Sequence, residues 1–272
     1  MIGITDWDDA YENAGYIPGA AQYPSRWAQR AAAFRDKLPP DRFRTLQYDQ
    51  APRGELDLFW PEGPPKGLAV FIHGGYWMRF HRSDWSHLAA GALARGWAVA
   101  IPGYALCPDT TVSGIGCQIA AALKVAASKV AGPIHLAGHS AGGQLATHIL
   151  CNGLLSPEIL ARVERVLSIS GVHDLRPLLR TARNEVLRLT AAEAMAESPA
   201  LLPPDVTPQL LCWVGAEERP EFLRQNALLA NIWTGLGCST HVEEVAGRHH
   251  FDVIDALADL ESAMVRAWLG PF

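Results

Sequence analysis

The stretch IHLAGHSAGGQLATHI, Ile134 to Ile149, constrains what this chain can fold into more than any other. An apolar run of strand character leads into a serine bracketed by Gly138 and Gly142, and a run of helical spacing leads out of it. A sharp strand-to-helix turn at Ser140 leaves no room for side chains on either side, which is why glycines stand there. The turn pushes the hydroxyl out at the carboxyl edge of a sheet. The positive end of the following helix lies beneath it and favours negative charge developing on a bound carbonyl. Ser140 is the candidate nucleophile; a Gly/Ser helix cap that happens to match the pattern is the plainer alternative.

Around this turn the chain alternates short β-rich runs with longer helical patterns, from about Leu56 onward. LDLFW, GLAVFIH, WAVAIP, IHLAG, RVLSIS, QLLCWVGA and THVEEVA read as strands. SDWSHLAAGALARG, VSGIGCQIAAALKVAASKVAG, PEFLRQNALLANIWTGLG and DVIDALADLESAMVRAWLG read as helices, with capping residues, a first-turn proline or a closing glycine at their ends. The strands are nearly continuous apolar runs, so a mostly parallel central sheet with helices on both faces is expected. Length and an apolar content of 49% suit one α/β domain over residues 1–272. Residues 1–40 contain one helical pattern, Ser25 to Leu38, and no strand of their own, and read as an arm packed on the domain. Residues 175–208 are irregular, with two helical patches, and are expected to form a cap or one wall of a pocket.

A serine nucleophile needs donors for its oxyanion, a base and an acid. VFIHGGYW, at the end of an apolar run, supplies consecutive glycines that let backbone N–H groups point at substrate. The N–H groups of Gly75, Tyr76 and Ala141 are the expected donors, with Gly74 shaping the loop and His73 holding it. The base is expected after the last strand, where VAGRHHFDV offers His249 and His250. His250 is chosen because Phe251 and the following helix would fix its ring, leaving His249 to line the pocket. After QLLCWVGA, Glu218 is the choice for the acid, with Asp174 as principal rival and Glu217 a further alternative. Glu221 falls in a first helical turn, where an acidic residue is expected for the helix dipole alone. Trp77, Tyr104 and His249 are candidate substrate contacts, with Tyr16 and Trp27 of the arm as further aromatic additions. His81, Asp84 and His87 have helical spacing that would suit a metal, but Ser83 and Asp84 look like helix-start residues, and no metal is expected.

Taken in order, HGGYW, GHSAGG, SGVHDLRPL, PEFLRQ and HHF resemble the α/β-hydrolase arylformamidases, also called kynurenine formamidases, and the N-terminal DDAYENAGYIPGA is similar to their arm. The resemblance covers nearly the whole chain. Its first two motifs are shared with many carboxylesterases, whereas PEFLRQ and HHF are narrower. Glu218 occupies the position at which the family usually carries Asp. The resemblance implies an α/β-hydrolase fold and hydrolysis of N-formyl-L-kynurenine to L-kynurenine and formate, a step of tryptophan catabolism. The residues themselves support acyl transfer without a cofactor. A carboxylesterase using the same residues, and a non-catalytic binding protein that keeps the fold, are the alternatives.

Charge and cysteine usage narrow the partners. With 23 Lys+Arg against 28 Asp+Glu and no block of like charges, nucleic acid is not expected. The five cysteines are scattered without a CxxC pair and read as free thiols. The start of the chain lacks the pattern of a secretory signal, and no apolar run reaches the ~18 residues needed to span a bilayer. A cytoplasmic location, a small-molecule substrate and no membrane partner are expected, with a homodimer left open.

Overall fold

In the computed structural model, which describes residues 3–270, every predicted strand forms, and an eighth precedes them. The outermost two residues at each end of the expected 1–272 domain lie outside the described residues. The strands are β1 (Phe43–Gln47), β2 (Glu55–Phe59), β3 (Leu68–Ile72), β4 (Ala98–Pro102), β5 (Ile134–His139), β6 (Val163–Ile169), β7 (Gln209–Gly215) and β8 (Thr240–Val245). They make one sheet in the order β1-β2-β4-β3-β5-β6-β7-β8. β2 pairs antiparallel with β1 and β4; all other pairings are parallel.

Alternation along each strand divides the core into two layers. Leu68, Val70 and Ile72 of β3 pack on one face, with the helices Val112–Lys129, Ala141–His148 and Pro220–Gly235. Ala69 and Phe71 face the other side, against Trp27 of the helix Tyr23–Arg35 and Met264, Val265 and Trp268 of the helix Ala263–Leu269. Because β3, β4 and β5 are buried on both faces, their sequences show no polar alternation.

Three expectations need correction. FRTLQ, now β1, escaped notice because an edge strand needs only one apolar side; its residues are exposed or half-buried. SDWSHLAAGALARG is not one helix but two 3-10 turns, Arg82–Asp84 and Ser86–Ala89, and a short helix Ala90–Ala94. There His81 and Asp84 close a reciprocal cap, and His87 is buried. The last predicted helix is likewise split into a 3-10 segment Val253–Ala258 and the helix Ala263–Leu269. The break is made by Asp259, which accepts from the Glu261 N–H, and Ser262, which caps the Val265 N–H.

The N-terminal segment is tied to the domain by polar contacts. Tyr11 donates its hydroxyl proton to Glu221 at 2.8 Å, Asp9 pairs with Arg219, and Arg183 reaches Glu12 at 3.2 Å. Arg183 belongs to the irregular 175–208 segment, which holds only short helical pieces, Arg176–Arg180, Asn184–Leu187, Ala191–Ala196 and Pro199–Leu201. Residues of these two segments, Glu12, Asn13 and Arg183, share one cavity with residues that follow β3, β5 and β8.

Candidate active site

Ser140 follows β5 and stands at the N-terminus of the helix Ala141–His148, with φ 56° and ψ −117°. The flanking glycines are sterically required: a Cβ on Gly138 would lie 1.9 Å from the Gly142 carbonyl oxygen, and one on Gly142 would lie 2.0 Å from that of Ile72. Hydrogen bonds from Ser140 N–H to Ile169 O (2.8 Å) and from Gly143 N–H to Ser140 O (2.9 Å) hold the turn.

The loop after β3 is forced into the left-handed region repeatedly, at Gly75 (φ 111°), Tyr76 (52°), Trp77 (58°) and Phe80 (75°). Gly74 packs against the turn itself, since a Cβ there would meet the His139 carbonyl oxygen at 2.7 Å. His73 anchors the loop from behind: its ring stacks on Tyr104 at 4.2 Å, and Tyr104 donates to the His73 carbonyl at 2.8 Å. Burial pushes the His73 pKa down to about 3, so this imidazole stays neutral.

From the loop after β8, His250 places Nδ1 2.6 Å from Oε2 of Glu218, which follows β7. The other carboxylate oxygen of Glu218 accepts from Ser170 Oγ at 2.5 Å and from the Gly215 N–H at 2.9 Å. A carboxylate held by that many donors accepts the Nδ1 proton of His250, which leaves Nε2 as the basic nitrogen. Asp174 is occupied elsewhere, in a two-pronged pair with Arg176 at 2.9 Å for each contact. Glu217 is exposed, one residue out of phase with its neighbour.

Ser140, His250, Gly74, Gly75 and Tyr76 line one cavity of about 180 Å³, walled by Trp27, Met78, Phe80, Trp85 and Phe251. Glu12, Asn13, Arg79 and Arg183 add its polar part. Arg79 is exposed and has no ion pair with a carboxylate among the described residues; its guanidinium lies over the Phe80 ring. Arg183 lies over the Tyr76 ring at 4.8 Å, and Tyr76 donates its hydroxyl proton to the Tyr11 carbonyl at 2.5 Å.

Of the other expected contacts, Trp77 and Tyr104 are not at the cavity. Both are fully buried. Trp77 donates its indole proton to Gln144 at 3.0 Å, and Tyr104 serves His73. Trp77 combines a positive φ with a ring turned inward to Gln144, which spacing alone does not reveal. His249 lies behind His250, near Tyr23 (3.2 Å) and Asp252, and Tyr16 is exposed beneath Arg219. Trp27 does reach the cavity. Phe80, Trp85, Arg79 and His139 were not singled out, and Phe251 was expected only to fix the His250 ring, although Arg79 and Phe80 directly follow HGGYWM and His139 sits inside GHSAGG. Their only sequence signal was closeness to a motif.

A serine on a strained turn, a glycine loop beside it and a histidine–carboxylate pair at the carboxyl edge of a mostly parallel sheet define the α/β hydrolases. The chain belongs to that family: the model described as the alpha/beta hydrolase family matches residues 69–269. Within it the relatives include kynurenine formamidases. That of Danio rerio is 26% identical over 87% of this chain and 89% of its own length. That of Salmo salar is 27% identical over 79% and 76%. Among solved structures, a Silicibacter sp. tm1040 protein named as a candidate thioesterase is 47% identical, with a TM-score of 0.92, over 98% of this chain and 100% of that one. Esterase B of Lactobacillus rhamnosis shares the fold, with a TM-score of 0.63 at 20% identity over 91% of this chain and 92% of that one. The protein is a hydrolase. No helix among the described residues is long and apolar enough to cross a membrane.

Proposed function

We propose that the protein hydrolyses an aryl formamide, N-formyl-L-kynurenine, to L-kynurenine and formate. Ser140 attacks the formyl carbon while His250 Nε2 takes its proton, and Glu218 keeps the imidazole in the required tautomer and stabilises its cation. The N–H groups of Gly75, Tyr76 and Ala141 receive the oxyanion. His250 returns the proton to the leaving nitrogen, and water, activated by the same histidine, releases formate from the formyl-enzyme.

The observation that carries this reading is the composition of the cavity beside Ser140. Its wall of Trp27, Phe80, Trp85 and Phe251 suits an aryl ring, and Arg79 at its side suits a carboxylate. The kynurenine formamidases among the relatives support the same substrate. A second reading, hydrolysis of a short acyl ester or thioester by the same residues, is favoured by the 47% identity to the Silicibacter protein. The test compares kcat/KM for N-formyl-L-kynurenine, p-nitrophenyl acetate and a short acyl thioester. The formamide is expected to exceed both by at least about tenfold, or ~1.4 kcal/mol in barrier. A ratio favouring either ester transfers the assignment to the second reading.

A further inference from the structure

The mechanism above makes no use of His139, which directly precedes Ser140 and lines the same cavity. Its Nε2 lies 2.9 Å from the carbonyl oxygen of His250, and the two rings are 4.6 Å apart. A carbonyl oxygen only accepts, so Nε2 carries the ring proton and Nδ1 presents a lone pair. Burial, and after it the neighbouring His250, holds the pKa of His139 well below the usual histidine value, so the ring stays neutral and the tautomer persists. Nδ1 has no hydrogen-bond partner among the described residues. Nδ1 lies on the side of the ring toward Gly74, which lines the same cavity. It flanks the glycine loop, where a Cβ on Gly74 would come within 3.2 Å of it.

An acceptor fixed in this way beside a nucleophile is free to take a donor from the substrate. Amides and esters differ in what they offer. When an amide C–N bond breaks, the nitrogen lone pair must face the proton on His250, and the hydrogen already on nitrogen turns away from it. In a site closed to water, that hydrogen needs an acceptor or loses its solvation. An ester oxygen carries no such hydrogen.

Resting on the formamide reading, we infer that His139 Nδ1 accepts the N–H of the scissile amide and makes the site selective for amides over esters. Ser140 Oγ bonds to the formyl carbon and its proton passes to His250. The C–N bond then breaks with its electron pair on nitrogen, which takes that proton from His250. The original hydrogen stays on the departing arylamine, held by His139, and the formyl group stays on Ser140.

Formanilide and phenyl formate test this, because they share the formyl group and the ring and differ in N–H against O. In His139→Phe, the formanilide-to-phenyl formate ratio of kcat/KM is expected to fall about tenfold, the size of one buried hydrogen bond. It should fall less in His139→Gln, whose side-chain oxygen retains an acceptor. The ratio does not depend on the folded fraction, and His139→Leu supplies it if the phenylalanine variant does not fold. A merely structural role moves both substrates together, so an unmoved ratio with native formanilide turnover overturns this inference alone. Absence of formanilide turnover by the native enzyme overturns it together with the formamide reading.

Discussion

At Ser140 the backbone occupies a region that costs a non-glycine residue about 1–3 kcal/mol, and it persists because hydrogen bonds fix the turn on both sides. The flanking glycines have no slack. Gly142→Ala sets a methyl group against the Ile72 carbonyl, backbone that cannot yield, and thermal melting is expected to drop by roughly 10 °C or more in scanning calorimetry. An unchanged melting point would show that the turn can relax. Glu218→Gln keeps the size of the side chain but removes the charge that, in the proposed mechanism, steadies the His250 cation, so kcat should fall about 10²–10⁴-fold. Asp174→Asn alters only the pair with Arg176 and should leave kcat per organophosphate-titrated site within a few-fold. Near-native turnover by Glu218→Gln moves the acid elsewhere. Arg79→Ala should raise KM for N-formyl-L-kynurenine about tenfold, the weight of a charged hydrogen bond, without a parallel rise for formanilide, which has no carboxylate. Equal shifts for both would assign Arg79 to the structure of the loop. The turn at Ser140 and the place of His250 in the loop after the last strand were readable because each lies in a local pattern of turn, strand end and helix start. Trp77 and Tyr104 were misread as contacts because the direction of a ring depends on φ and on partners distant in sequence.

Among the elements, the N-terminal segment depends most on a single network. Glu221, read from the sequence as a residue for the helix dipole, is buried and accepts from Tyr11, Arg224 and Gln225 at 2.7–2.8 Å. Burial, and then the Glu221 charge, pushes the Tyr11 hydroxyl pKa far up, so it remains a donor. Tyr11→Phe should cost about 1–2 kcal/mol in denaturant titrations and speed proteolysis within residues 3–22, because the segment that supplies Glu12 and Asn13 to the cavity is released first. Unaltered protection of that segment would place its anchor at Arg183 and Arg219 instead. Element boundaries were readable where one apolar face runs unbroken, as in Val112–Lys129 and Pro220–Gly235. They failed where a capping serine or aspartate interrupts an apolar pattern, as at Asp259 and Ser262, because the pattern continues while the backbone does not.

Across the whole molecule, the buried histidines are expected to set the acid limit of stability. Burial lowers the pKa values of His73, His87 and His173 to about 3 in the folded state. The unfolded chain binds these protons below about pH 6.5 and the folded chain does not, so stability is intact above that pH and falls as pH drops toward 3. Each group contributes up to about 1.4 kcal/mol per pH unit. Guanidinium titrations at pH 7, 6 and 5 should show a steepening loss, and a flat profile over that range would mean that these rings gain protons without unfolding. Sequence by itself determined the mostly parallel sheet, the serine turn, the glycine loop and the histidine after the last strand, since each follows from hydrophobic period and turn chemistry within a few residues. Tertiary structure alone decided which carboxylate meets His250, which aromatic rings face the cavity and which way the lone pair of His139 points. Those outcomes depend on side chains that converge from strands far apart in the chain, and no local pattern records their distances.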